Sequence, residues 1–250
     1  MLISINWIKD FVDLDGIDID ELIHKFSLST AEVENDIFHK GSDLSGVVVA
    51  EIKSVENHPE SKKLHLLKVD IGADELVDVV CGAPNVRVGM KTAFAKLGAH
   101  IGEIEIAPRA LAGYTSNGMC CSEKELGISD DNSGIMDITE DVALGTDIKE
   151  LYAIDDIIFE VDNKSLTNRP DLWGHYGIAR EIATLAGRPL KPLETADLSV
   201  YDDLPKVDIK IEDPLCKRYT GIQFENITRK ISPVNMRIRL FYCGMRAINY

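Results

Sequence analysis

Between residues 47 and 113 the apolar side chains recur at every second position in five consecutive stretches: VVVAEIKSVENH (47–58), LHLLKVDIG (64–72), LVDVVCGA (76–83), MKTAFAKLGAHI (90–101) and EIEIAPRALAG (103–113). A period of two places alternate side chains on opposite faces of a strand, and the Pro, Gly, Asn and Asp residues between the stretches supply turns. Five short strands at this spacing bury one face by curling on themselves. The pattern therefore predicts a small five-stranded β-barrel of the OB type, an architecture that binds nucleic acid on an open face and through its connecting loops. SGIMDI (133–138) and DVALGTDI (141–148) are expected to flank and close this module near residue 151.

The period is helical on either side of the barrel. Ser4 precedes Trp7, Ile8, Phe11 and Val12, and Asp18 with Glu21 marks a capping-box-like start ahead of Leu22, Ile23 and Phe26. Two helices this short cannot bury their own apolar faces. The stretch LWGHYGIAREIATLAG (172–187), with Leu172, Ile178, Ile182 and Leu185 in helical register, Asp171 as its cap and Gly187 as its stop, offers them a partner. The expected class is α+β: the barrel (40–151) is inserted into a small discontinuous α/β support domain (1–39 plus 152–200). A Pro-punctuated linker (188–206) then leads to two alternating stretches over 207–224 and an amphipathic helix from Pro233, the truncated start of a further α+β domain (207–250). The apolar positions of that helix run to Tyr250, as in a piece of a longer chain.

Residues 116–127, SNGMCCSEKELG, compress a strand end and a helix start into one junction. Ser122 and Glu125 stand as S-x-x-E, so each side chain can take the other residue's amide, and Gly127 stops the helix. Upstream lie HPESKKLHLLKVDIG (58–72) and VCGAPNVRVGM (80–90). Together these stretches resemble the tRNA-binding module of bacterial phenylalanyl-tRNA synthetase beta subunits, and INWIKDFVDL (5–14) and DNKSLTNRPDLWGHYGIAREIATLAG (162–187) resemble the same family in the same order. The resemblance implies a portion of a phenylalanine–tRNA ligase that contributes tRNA binding and subunit assembly. It also implies a catalytic core on an alpha subunit, an α2β2 heterotetramer, and ATP and Mg2+ as cofactors of the whole enzyme with neither bound here. Residues 207–250 would open the editing domain. The implied partners are tRNA(Phe) and the alpha subunit, with neither membrane nor DNA. A free-standing OB-fold tRNA-binding or protein-interaction module without catalysis is the alternative.

The net charge of −15 opposes a broad nucleic-acid surface, and the acid is concentrated early: 2 Lys and Arg against 9 Asp and Glu over 1–39, and 11 against 19 over 40–150. Any RNA contact must be a local basic patch with salt-sensitive affinity. The candidates are Lys62, Lys63, Lys68, Arg87, Lys91, Lys96 and Arg109, cations suited to following a phosphate backbone, with Tyr114 as an exposed ring for base stacking. Phe94 alternates with core positions and is expected to pack. His58, ahead of Pro59, is expected to hold its loop by hydrogen bonds, and Asn85 to bond its own loop. Arg169 is expected to pair with Asp162 or Asp171, or with another subunit. No nucleophile with a paired base, P-loop or G-x-G-x-x-G is present, which argues against catalysis by this stretch. The five cysteines lack zinc spacing. Adjacent Cys120 and Cys121 should face opposite sides of a strand, one in the core and one partly exposed. No apolar run reaches membrane-spanning length and no basic leader opens the chain, so a cytoplasmic protein with reduced thiols is expected.

Overall fold

Both opening helices begin where a side-chain oxygen takes an amide the helix leaves unpaired. In the computed structural model, which describes residues 1–248 and the side chains of all of them but Asn35 and Asp36, α1 (Ile5–Ile8) starts at Ser4, whose Oγ accepts from the Trp7 amide at 3.0 Å. In α2 (Ile19–Ser29) the Asp18 carboxylate accepts from the Glu21 amide at 3.1 Å. Further helices are α3 (Ile148–Leu151), α4 (His175–Ala186) and α5 (Val234–Tyr242). The strands are β1 (Leu2–Ser4), β2 (Val33–Lys40), β3 (Leu44–Asn57), β4 (His65–Asp70), β5 (Val77–Cys81), β6 (Lys91–Ile101), β7 (Ile104–Glu105), β8 (Arg109–Leu111), β9 (Tyr114–Ser116), β10 (Met119–Cys120) and β11 (Asp156–Val161).

The first 39 residues thus hold strands as well as helices. An antiparallel sheet of order β1-β11-β2 lies beneath α1, α2 and α4. Its central strand alternates: Phe159 and Val161 join the core containing Ile8, Leu22, Phe26, Ile178 and Ile182, while Ile158 faces a second core. The expected packing of the opening helices on the 175–186 helix is present in that first core, with Phe26 set edge-on to Phe159 at 5.8 Å between centroids. Gly187 stops α4 in the left-handed region (φ 63°), but Asp171 does not cap it. Gly174 occupies the cap position, and Asp171 is held by Arg169 and Arg180 instead.

The alternating stretches form one curled antiparallel sheet of order β10-β6-β3-β4-β5. Register shifts in β3 at Ser45/Val47 and at Ile52/Ser54 bend it. Gly46 lies at the first, with φ 71° and a position where a Cβ would stand 3.0 Å from the Ala99 backbone. The sheet is buried on both faces: Val47 and Val49 belong to one cluster, Ala50 and Ile52 to another. Among the described residues no ladder joins the outer strands β5 and β10. The bonds to β5 come instead from the end of β9 and the turn before β10: the Asn117 amide on the Asp78 carbonyl (2.9 Å) and the Val80 amide on Ser116 Oγ (3.1 Å).

Several local expectations change. The stretch at 103–113 breaks at Pro108, which has no amide to donate: β7 pairs with β6, whereas β8 and β9 form a separate hairpin. The Ser122–Glu125 box is made in both directions, with the Ser122 amide on Glu125 Oε2 at 2.6 Å and the Glu125 amide on Ser122 Oγ at 3.2 Å. It nucleates one turn and not a helix, because Gly127 turns left-handed (φ 70°) and carries Leu126 and Ile128 into the core. Cys120 and Cys121 do face opposite sides, yet both are buried, since a core lies on each side of β10. The 133–138 and 141–148 stretches give only isolated bridges, Lys91 to Ile138 and Val48 to Asp147.

The alternating stretches over 207–224 form no strand among the described residues. Val207, Ile209, Ile211, Tyr219, Ile222 and Phe224 stand exposed, because no neighbouring edge completes a ladder for them. The helix after Pro233 does form, and it docks. Ile238 and Tyr242 are buried, the Tyr242 hydroxyl donates to the Ile154 carbonyl at 3.0 Å, and Arg239 pairs with Asp10 while lying over the Trp7 ring. The helix ends at Tyr242, short of the expected run: residues 243–248 are not helical, Gly244 turning left-handed at φ 72°, and 249–250 lie outside the described residues.

Candidate nucleic-acid interface

The seven candidate cations divide by what already holds them. Lys68, opposite Asp78 in the β4–β5 register, is bound to it at 2.6 Å. Arg87 sets one guanidinium nitrogen, Nη2, on both Asp137 oxygens, at 2.8 and 2.9 Å. Half-buried Lys91 donates to the Val142 carbonyl at 2.9 Å and lies 3.8 Å from Asp141. These three are committed to the protein. Lys62, Lys63, Lys96 and Arg109 are exposed and have no carboxylate within ion-pair distance among the described residues.

One buried imidazole organises the free set. His58, 4% exposed, ends the β3 ladder where the chain turns into the Lys62–Lys63 loop. Its Nδ1 accepts from the Glu60 amide at 3.1 Å, so the proton lies on Nε2, which donates to the Ala112 carbonyl at 3.0 Å. Ala112 is the tip of the β8–β9 hairpin and has φ 47°, a conformation alanine adopts only under constraint; Gly113 follows at φ 88°. His58 therefore ties the loop carrying Lys62 and Lys63 to the hairpin carrying Arg109 and Tyr114. Tyr114 packs edge-on against His58 (5.0 Å between centroids) and stays 41% exposed. Lys96 stands apart on β6, one residue beyond the Ala95–Met119 pair.

The sequence picks out the loop role of His58, but nothing in it marks Ala112, because alanine is not a residue chosen for the left-handed region. Phe94 is core, as expected. Gly118 at φ 150° lies so close to it that a Cβ would overlap the Phe94 ring. Asn85 reaches across to another loop and not within its own: its Oδ1 accepts from the Ile135 amide at 3.0 Å and its Nδ2 donates to the Ile135 carbonyl at 2.8 Å. Arg169 pairs with Asp171, as expected, and with Glu181. Arg169 holds the Asp171 carboxyl below the usual carboxylate range. Among the described residues no three His, Cys, Asp or Glu side chains converge to hold a metal, and no helix is long and apolar enough to cross a membrane.

Residues 47–147, the curled sheet and its closing turns, match a family described as "Putative tRNA binding domain". The chain is 38% identical over its full length to the phenylalanine–tRNA ligase beta subunit of Fusobacterium nucleatum, covering 31% of that protein. It is 37% identical to that of Yersinia pestis over 97% of this chain and 30% of the relative, and 39% identical to that of Francisella tularensis over all of this chain and 32% of the relative. It thus spans about a third of the length of these relatives. With a match to a tRNA-binding family in the middle and similarity on both sides of it, the chain is similar from end to end to about a third of phenylalanine–tRNA ligase beta subunits.

Proposed function

We propose that this chain is the tRNA-docking and assembly portion of a phenylalanine–tRNA ligase beta subunit, with the curled sheet acting as a five-stranded OB-type barrel. On this reading residues 40–151 are the docking domain, 1–39 with 152–200 support it, and 207–250 begin the editing domain. The observation that carries the reading is the coincidence of a full-length family match with unpaired Lys62, Lys63 and Arg109 beside exposed Tyr114, on two loops latched by His58. Mobile, unpaired cations follow a phosphate backbone; Tyr114 offers one stacking face, so the mode is backbone and shape contact, not base reading. Lys96, apart on β6, would be a separate phosphate contact. Lys68, Arg87 and Lys91 contribute less, since RNA would have to displace an aspartate or a carbonyl from each.

Within the whole enzyme, charging tRNA(Phe) with phenylalanine in the cytoplasm would use ATP and Mg2+ on an alpha subunit of an α2β2 assembly. The described residues here do not compose a metal site, and no step of that reaction is assigned to them. Fluorescence anisotropy with tRNA(Phe) at two salt concentrations tests the proposal. Changing Lys62, Lys63 and Arg109 together to Glu should weaken binding and flatten the log–log salt slope by roughly 0.7–0.9 per lost phosphate contact. The matched change of Lys68 and Arg87 should leave the slope nearly intact. Absent binding at low salt would instead make the sheet a protein-interaction surface, and a slope lost only in the Lys68 and Arg87 variant would move the interface to β4 and β5.

A further inference from the structure

The outer strands of the curled sheet, which no ladder joins, carry a cysteine each at the point where they meet: Cys81 ends β5 and Cys120 ends β10. Both side chains lie as neighbours in the same core cluster. Both residues also line a surface cleft of about 330 Å³, with Met119, Ser122 and Glu125 on its walls. The pair is therefore packed in the core and borders a cleft that a small solute can enter.

The two thiols are not equivalent. The Ala83 amide points at the Cys81 sulfur, at 3.5 Å, and Cys120 neighbours it in the core. The Cys120 thiol, with the Ala83 amide adding to it, holds Cys81 below the usual thiol range, while neighbouring Cys81 and burial push Cys120 up. The sulfur favoured as thiolate is the nucleophile, and the neighbouring thiol is placed to resolve whatever forms there. His65 stands opposite Cys81 in the β4–β5 register, on the same face, and its Nδ1 is buried without a hydrogen-bond partner in the structure. The face around Cys81 thus holds a polar acceptor that the fold itself does not use.

We propose that Cys81 and Cys120 form a peroxide-reactive dithiol site, whose oxidation ties β5 to β10 by a disulfide. The Cys81 thiolate attacks one peroxide oxygen: an S–O bond forms, the O–O bond breaks and the second oxygen leaves as water after taking up a proton. Cys120 sulfur then attacks the Cys81 sulfenic acid: the S–S bond forms, the S–O bond breaks, and the departing hydroxide leaves as water with the Cys120 proton. In sum two thiols are oxidised and one hydrogen peroxide is reduced to two waters. Cys121, adjacent in sequence, is not the partner, since it faces the opposite core and burial pushes its thiol up to about 12.

The test is hydrogen peroxide on the folded chain, followed by non-reducing peptide mapping by mass spectrometry. The Cys81 and Cys120 peptides should appear linked, with loss of both free thiols, and dithiothreitol should release them. Cys216, exposed and without a neighbouring thiol, is the internal control and should oxidise more slowly. In Cys120→Ser the Cys81 sulfenic acid should persist and be captured by a 1,3-diketone probe, and in Cys81→Ser Cys120 should remain a thiol. The wild-type map needs no variant to fold. Recovery of Cys81 and Cys120 as free thiols while Cys216 is oxidised would overturn the proposal, as would linkage of Cys81 only to Cys216.

Discussion

Two parts of this chain carry the same alternating pattern and meet different fates. Over 47–72 the apolar side chains are buried or half-buried about the β3–β4 pair, whereas over 207–224 the corresponding side chains stand in solvent. The difference does not lie in the aliphatic residues, since Val, Ile and Leu occupy both. It lies in the neighbours: β3 has β4 on one side and β6 on the other, and a core against each face. Alternation specifies which face of a strand is apolar. Only an adjacent edge and an opposing layer turn that into stability.

The comparison breaks most sharply at Phe94 and Phe224. Phe94→Ala should cost about 3–5 kcal/mol, because the ring is 1% exposed and fills the space beneath Gly118. Chemical denaturation measures it directly; a cost near zero would show that the curled sheet is not a packed core.

Next comes acid. Burial, with Arg239 adding to it, holds His175 down at about 4, and its Nε2 accepts from the Ser4 amide at 3.1 Å next to Cys243 at the end of α5. A histidine depressed in the folded state contributes its stability fully above the unfolded value of about 6.5 and loses it as pH falls toward 4. The full loss is up to about 3 kcal/mol. Burial also pushes the neighbouring Asp156 carboxyl up, which offsets part of this, so the informative quantity is the difference between wild type and His175→Gln from pH 7 to 4. Parallel curves would detach α5 docking from His175 protonation.

A smaller effect is expected at the single turn after β10. Ser122→Ala removes the acceptor for the Glu125 amide and should cost about 1 kcal/mol by thermal or urea melting. Smallest of all, Phe224→Ala should change stability by no more than about 0.5 kcal/mol, as for an exposed position. A loss comparable to that at Phe94 would mean the 207–224 stretch is packed after all.

Much of the architecture could be read from local chemistry: the caps at Ser4 and Asp18, the stop at Gly187, the strands of the curled sheet, and the need of the opening helices for a distant partner. What could not be read depends on register and on distant neighbours. Strands β2 and β11 escaped because VENDIFHK and DIIFEV are short and gain a meaning only when paired with each other. The candidate interface was half legible. Cation identities are visible in the sequence, but pairing of Lys68 with Asp78 follows from the β4–β5 register, and that of Arg87 with Asp137 spans 50 positions. Adjacent Cys120 and Cys121 were assigned opposite faces correctly; a second core behind β10 could not be foreseen from two residues.

Asn85 holds Ile135 with the same donor–acceptor pair that a strand residue would offer, but through a side chain. Loop 129–137 is thus fastened partly by a carboxamide, beside the Met136 amide on the Cys121 carbonyl and Arg87 on Asp137, and hydrolysis of that amide would replace its donating nitrogen by an anionic oxygen facing the Ile135 carbonyl. Shape would be almost unchanged while attraction became repulsion. Deamidation at this one position would thus turn one of the loop's ties against it while leaving the others in place.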